Sequence, residues 1–280
     1  MRHRQGRNAL DNMADTGSIG IFDSGIGGLP IAREIHRLLP GEDIAYVADT
    51  HHAPYGEKSD AAILARAFAV TDFLVTRQAK AIVVACNTAT TTCIRALRER
   101  YALPFIGVEP GIKPAVLNSR SGVVGVLATP KTLVTESFLS LAAKVAGNVK
   151  MEVMPCPELV RQVESLQLDC PQARQVVAQY VQPLLDRGAD TIVLGCTHYV
   201  HLKPLIAEVA GPGVTIISTE EAVARETRRR LSQENRLRPT SADTVGQTAF
   251  FSNGDPQRFR DQVQTLWGQC DIIGAFPATV

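Results

Sequence analysis

Two cysteines in this chain stand where apolar runs end, and their surroundings repeat. AKAIVVACNTAT (79–90) runs into Cys86, and ADTIVLGCTHYV (189–200) runs into Cys196. Alanine, an Ile-Val pair, a small residue and the cysteine recur at equivalent places, 110 residues apart. A thiol and a thiolate are an acid and a base of matched strength whose roles can exchange. Reversible inversion at a carbon acid asks for that pairing: one group removes the proton from one face while the other supplies a proton to the opposite face. Each cysteine precedes a stretch with helical character, TATTTCIRALRER after Cys86 and THYVHLKPLIAEV after Cys196. A helix N-terminus lowers the pKa of a thiol beside it, so both are expected to be poised.

FDSGIGGLP (22–30) is the next stretch with chemical potential. It joins a strand to a helix through three glycines, but it is neither G-x-G-x-x-G nor a P-loop with Lys-Ser/Thr. The alternative is a loop that sets Asp23 and Ser24 at the strand lip and turns backbone amides toward a small anion. Asp23 acting only as a helix cap is the plainer reading. A zinc site from Cys86, Cys196 and His198 fits poorly, because the spacing is unlike that of zinc ligand sets. His51 and His52 are adjacent and diverge, which suits a solvated loop. Cys93 lies seven residues after Cys86 on the same helical side and reads as buried filler, while Cys156, Cys170 and Cys270 read as structural. The run Arg228–Arg230 reads as a solvated helix end.

The elements that must position these groups alternate regularly. SIGIFD, DIAYVAD, AKAIVVAC, PFIGV, GVVGVLAT, VKMEVMPC, ADTIVLGC, GVTIIS and TAFFSN are short apolar strands, with helical stretches between most of them. TEEAVARETRRRLSQ opens with a threonine cap and acids in its first turn. Strands so uniformly apolar imply parallel sheets covered on both faces, hence an α/β fold. The repeated cysteine strand implies two similar halves. Open parallel sheets place their sites beyond the carboxyl ends of the strands, so facing halves would bring both cysteines to one cleft.

Bulk properties narrow the function classes. The 280 residues are 45% hydrophobic but only 5% aromatic, so the core is built from aliphatic side chains. A net charge of +1 proposes neither nucleic acid nor an acidic membrane as partner. No apolar run approaches a bilayer span, and the polar first 17 residues lack a secretory h-region, so they read as a flexible extension. Six cysteines without a C-x-x-C pattern suit free thiols in a reducing cytoplasm.

Taken together, FDSGIGGL, YVADTHHAPYGEKS, ACNTAT, GVEPGIKPA, LATPKT, CPELVRQVE and GCTHY, in this order and spacing, resemble the glutamate racemases of the aspartate/glutamate racemase superfamily. The resemblance runs from about Ser18 to the neighbourhood of Trp267. It implies two similar parallel-sheet α/β domains facing each other across an active-site cleft. The first domain would be discontinuous, 18–111 plus 219–280, and the second would be 112–218. It also implies interconversion of L- and D-glutamate without cofactor or metal, for peptidoglycan and cell-wall synthesis, in the cytoplasm. Cys86 and Cys196 resemble the two catalytic acid–bases, with Asp23, His198 and Glu164 as helpers. Asp23, Ser24, Tyr55, Gly56, Asn87, Thr88, Thr129, Thr197 and His198 resemble the substrate contacts. A homodimer and a cell-wall precursor as regulator are the further partners it brings in. Val200 stands where the family usually has proline, Ser218 and Thr219 where many members have Asp-Ser, and the N-terminal extension is longer than in the shortest members. Three rival readings differ in class or substrate. A two-domain binding protein would not need a thiol on each wall; an aspartate racemase would differ in pocket depth; a pyridoxal-phosphate racemase would need a cofactor lysine, for which no pattern is present.

Overall fold

The computed structural model describes residues 16–239, 245–269 and 272–278, so the expected extension up to residue 15 and Cys270 lie outside the described residues. The first half carries β1 (Ile19–Asp23), α1 (Leu29–Leu38), β2 (Ile44–Ala48), α2 (Asp60–Thr76), β3 (Ala81–Val84), α3 (Asn87–Arg100) and β4 (Phe105–Gly107). Then follow α4 (Ile112–Asn118), β5 (Val123–Ala128), α5 (Pro130–Leu133), α6 (Glu136–Val145), β6 (Lys150–Pro155), α7 (Pro157–Glu164), α8 (Pro171–Asp186), β7 (Thr191–Leu194), α9 (Lys203–Ala210) and β8 (Thr215–Ile217). The chain closes with α10 (Glu220–Gln233), β9 (Thr248–Ser252), α11 (Pro256–Leu266) and β10 (Ile272–Ala275).

All pairings are parallel. One sheet runs β10-β9-β2-β1-β3-β4 and the other β6-β5-β7-β8. The central strands β1, β2, β3 and β7 are buried along their whole length, as strands covered on both faces must be. The sheets share one plan, since β2-β1-β3-β4 and β6-β5-β7-β8 have the same order. Phe22 pairs with Val84 in the first and Leu127 with Leu194 in the second. One residue further on, Ala85 N–H donates to Phe22 O and Gly195 N–H to Leu127 O, both at 2.7 Å. Cys86 and Cys196 are the next residues, so the echo in the sequence marks equivalent positions in two sheets. In this order the switch point lies between β1 and β3, and between β5 and β7, where α/β sheets bind ligands.

Three expectations about elements need correction. The stretch after Cys196 is not a continuous α-helix: Thr197–Leu202 is 3-10, and α9 starts at Lys203 with Pro204 in its first turn. Proline lacks the N–H that a helix interior needs but is tolerated in the first turn, so the α-helix begins there. Thr219 occupies the N-cap position of α10 but its hydroxyl caps nothing. Finally, β10 is a short, half-exposed apolar edge strand that the sequence reading does not include. Among the described residues, no helix is long and apolar enough to cross a membrane.

Candidate active site

Two of the three glycines after Ser24, Gly25 and Gly27, are explained by what crosses over them. A Cβ on Gly25 would sit 1.9 Å from Glu164 Oε1, and one on Gly27 would sit 2.2 Å from His198 Nδ1. The loop is therefore bare so that side chains of the second half can reach it. Its amides do address anions, though these belong to the protein: Ile26 N–H donates to Glu164 Oε1 at 3.0 Å and Gly28 N–H to Asp23 Oδ2 at 3.0 Å. Tyr46 O–H donates to Gly25 O at 2.9 Å and pins the loop from below.

Cys86 is the N-cap of α3, and Ala89 N–H donates to its Sγ at 3.4 Å. Its thiol in turn donates to Ser24 Oγ at 3.9 Å. The expectation of a lowered pKa fails here. Burial pushes the Cys86 thiol well above its ordinary value, the Asp23 carboxylate adds to this, and one amide donor does not compensate. Burial also raises the Asp23 carboxyl. Asp23 Oδ1 is buried without a hydrogen bond to protein.

Cys196 is served differently. No helix amide caps it, and its polar neighbour is His198 Nδ1 at 3.9 Å. The imidazole Nε2 meets Glu164 Oε1 at 2.7 Å, and Nδ1 lies 4.0 Å from Asp23 Oδ2. Burial alone would push His198 down, but the bonds to Cys196 and Glu164 and the charge of Asp23 hold it well above the usual imidazole range. For Glu164, burial is likewise outweighed, here by the bond to His198 and its charge, and the carboxyl is lowered. His201 is opposite in behaviour: burial beside His198 pushes it down to about 4.

The matched registers make Asp23 equivalent to Ala128, Ser24 to Thr129, and Thr88 to His198. One edge of the site thus carries the charged set Asp23, His198 and Glu164. The other carries hydroxyls: Thr88 lies 3.1 Å from Thr129 and 3.3 Å from Thr132, again across the two halves. Gly56 belongs to this edge, since a Cβ there would be 3.2 Å from Thr129 Cβ. The chain has kept the two thiols alike and made their surroundings unlike.

The remaining expected residues are placed as follows. Tyr55 is buried and its hydroxyl donates to Asp49 Oδ2 at 2.6 Å. Asn87 opens α3 and donates to Val108 O at 3.4 Å, while Thr197 is buried at the start of the 3-10 segment. Cys93 is buried and donates to Ala89 O at 2.8 Å, and burial pushes its thiol up to about 12. His52 leans on Asp49 rather than on a solvated partner, with Nδ1 3.0 Å from Oδ1, and His51 is exposed. Among the described residues, no three His, Cys, Asp or Glu side chains form a group that could hold a metal ion.

Four supporting residues are absent from the sequence reading. Asp49 and Arg66 form a buried pair at 3.0 Å that holds Tyr55, and Gln262 bonds Glu164. Gln262 comes from a distant segment with no local signal, whereas Asp49 closes the strand DIAYVAD and Arg66 lies 17 residues after it. Thr132 had a local signal, because it lies one helical turn beyond Thr129 in LATPKT. A cavity of about 410 Å³ on the far side of Glu164, lined by Thr50, Arg161, Asp255, Arg258 and Gln262 among others, reaches neither thiol.

Two matched parallel sheets thus each place a buried thiol, 5% and 7% exposed, at the switch point. Residues 25–227 match the family model of the Asp/Glu/hydantoin racemases, and the chain belongs to that family. It is 48% identical over 248 residues to a glutamate racemase of Herpetosiphon aurantiacus, covering 89% of this chain and 97% of that one. Glutamate racemase isoform RacE1 of Bacillus anthracis superposes with a TM-score of 0.85 at 32% identity, covering 94% and 98% of the two chains. The Escherichia coli glutamate racemase, solved with L-glutamate and the activator UDP-MurNAc-Ala, superposes with a TM-score of 0.82 at 31% identity over 93% and 98%.

Cys93 provides an internal contrast with Cys86 seven residues earlier. Cys93→Ser is expected to leave turnover within twofold and to lower stability by about 1 kcal/mol, since a smaller polar group enters a packed site but keeps the Ala89 carbonyl as partner. Parallel denaturation and initial-rate measurements check it.

Proposed function

We propose that this racemase interconverts L- and D-glutamate by a two-base proton transfer between Cys86 and Cys196. The observation that carries the reading is the equivalent placement of the two thiols at the switch points of two facing sheets. One cysteine as thiolate takes the Cα proton. The electron pair left on Cα spreads into the α-carboxylate, and the other cysteine as thiol delivers its proton to the opposite face. Each turnover leaves the cysteines with exchanged proton states.

The difficult feature is the weak acidity of a Cα–H beside a carboxylate. Hydroxyl and amide donors aimed at the developing charge lower that barrier most when they are fixed beforehand. Thr88, Thr129 and Thr197, with Asn87 and the N-terminus of α3, supply such groups here, and Ser24, Tyr55 and Gly56 complete the substrate wall. Asp23 assists Cys86, while Glu164 holds His198 as the cation that assists Cys196. No step calls for a metal or an organic cofactor. The two sheets support a first domain of 18–111 plus 219–280 and a second of 112–218.

Supply of D-glutamate for peptidoglycan in the cytoplasm follows from the substrate assignment. The activator named for the Escherichia coli relative supports a cell-wall precursor as regulator here, and a homodimer is the assembly we propose. Circular dichroism of chelator-treated protein, dialysed free of pyridoxal phosphate, tests the reaction. L-glutamate should lose its signal at the untreated rate and L-aspartate should not. Aspartate turnover at an equal rate would refute the substrate, and a loss restored by zinc would refute the metal-free mechanism.

A further inference from the structure

We propose that Gln262 is a positioning residue of this reaction: from α11 it fixes the Glu164 carboxylate against His198, the imidazole beside Cys196. The inference rests on the proposed role of the Glu164–His198 pair. Gln262 is 2% exposed, which is unusual for an amide unless its hydrogen bonds are made. Its Nε2 lies 2.7 Å from Glu164 O and 3.2 Å from Glu164 Oε2. Both partners are acceptors, so the amide nitrogen, not its oxygen, must face Glu164.

The backbone bond has a local reason. Glu164 is the last residue of α7, where carbonyls lack an intrahelical partner. Arg258 Nη2 takes the same carbonyl at 3.0 Å, one turn before Gln262 on α11. The bond to Oε2 is not needed for capping. It constrains the side chain, whose other oxygen is already held by Ile26 N–H at 3.0 Å and His198 Nε2 at 2.7 Å. With Gln262, both carboxylate oxygens are engaged and the carboxylate cannot rotate away from the imidazole. Among the described residues, Gln262 is the side chain that holds Oε2.

The choice of an amide also has a physical reason. An uncharged donor stabilises the ionised carboxylate without competing with His198 for its charge. Among the described residues, the charged and titratable groups around Glu164 are Asp23 and Tyr46 from the first half, His198 and His201 from the 3-10 segment, and Arg258 on α11, with His51, Arg161 and Asp255 lining the cavity beside it. A lysine or arginine at 262 would add a second cation to this set and loosen the hold on His198. Gln262 keeps the pair as one carboxylate and one imidazolium.

The sign of the pH effect follows. A donor to the ionised carboxylate lowers its pKa, and Gln262 is one of the groups that does so for Glu164. Removing it raises the Glu164 pKa, so activity is lost at a higher pH on acidification. Gln262→Met, which keeps the shape and removes the N–H groups, is expected to lower kcat/KM about tenfold, the scale of one hydrogen bond to a charged group. The acid limb of its kcat/KM profile should move toward neutral pH. Gln262→Asn, which keeps the amide but shortens its reach, should move the limb in the same direction and stands in if the Met variant does not fold. Arg258→Lys keeps the positive charge while giving up the guanidinium contact to the carbonyl, and should leave the limb in place. An unmoved limb in folded Gln262 variants, or an equal movement in Arg258→Lys, would overturn the inference and leave Gln262 a structural latch. Glu164→Gln, measured alongside, separates the two levels: if it too leaves rate and limb unchanged, the proposed role of the Glu164–His198 pair is what has failed.

Discussion

Serine in place of Cys86 or of Cys196 is expected to abolish racemisation in each single variant, with the fold retained. A hydroxyl is far less acidic than a thiol, so it neither forms the base nor matches its partner as the acid. Positioned acid–base groups contribute about 10²–10⁴-fold, and every turnover needs both positions, so a loss of about 10³-fold or more is expected. At 1.36 kcal/mol per tenfold this corresponds to about 4 kcal/mol of barrier. Sulfur and oxygen differ little in size, and each cysteine has only one or two polar contacts to preserve. Initial rates by circular dichroism, with thermal melts on the same samples, check the result. Full activity in either variant would remove the two-thiol mechanism.

The second large effect is isotopic. During racemisation in D₂O, product is expected to carry solvent deuterium at Cα in nearly every molecule, while recovered substrate stays almost unlabelled at early times. The substrate proton leaves to one wall and its replacement comes from the other, where the thiol has already exchanged with solvent. A single base serving both faces, such as His198 in reach of Cys196 and Asp23, would carry part of the original hydrogen into product. Mass spectrometry of the separated enantiomers distinguishes these outcomes. The single-cysteine variants extend the test. Elimination from a glutamate analogue with a β-leaving group needs proton removal from one face only, so each variant should retain it for one enantiomer. Opposite preferences assign a face to each cysteine; identical preferences would mean that the thiols do not flank the substrate.

In the proposed mechanism, the helper groups would let the two cysteines be unequal and still cooperate. Cys86 sits at a helix N-terminus beside Asp23, and burial pushes its thiol up. Cys196 lacks the helix but has an imidazole held above its ordinary range by Cys196 itself, Glu164 and Asp23. A donor set that differs on the two sides allows thiol and thiolate to exchange without requiring the same environment twice. The hydroxyl edge of Thr88, Thr129 and Thr132 has no such charges and offers only donors and acceptors.

By itself, the sequence determined the strand ends. Nine of the ten described strands were legible as short, mostly apolar runs, and the residues that close them, Asp23, Cys86, Thr129 and Cys196, stand at strand lips because a buried parallel strand has nowhere else to put a polar side chain. The echo between 79–90 and 189–200 was legible for the same reason, since two copies of one plan need the same buried pattern at the same switch point. Local pattern did not reveal the thiol environment. Cys86 follows the helix rule in geometry and departs from it in acidity, because burial depends on what packs above it and not on its neighbours in the chain. Nor did local pattern reveal that Gly25 and Gly27 are bare for Glu164 and His198, or that Gln262 reaches back to Glu164. Those contacts join segments far apart in the chain: Gln262 and Glu164 are separated by 98 residues, and Ile26 and Glu164 by 138. Only the docking of one sheet unit against the other decided them, because hydrogen-bond partners across an interface are set by shape and burial, for which a linear pattern of residue types carries no term.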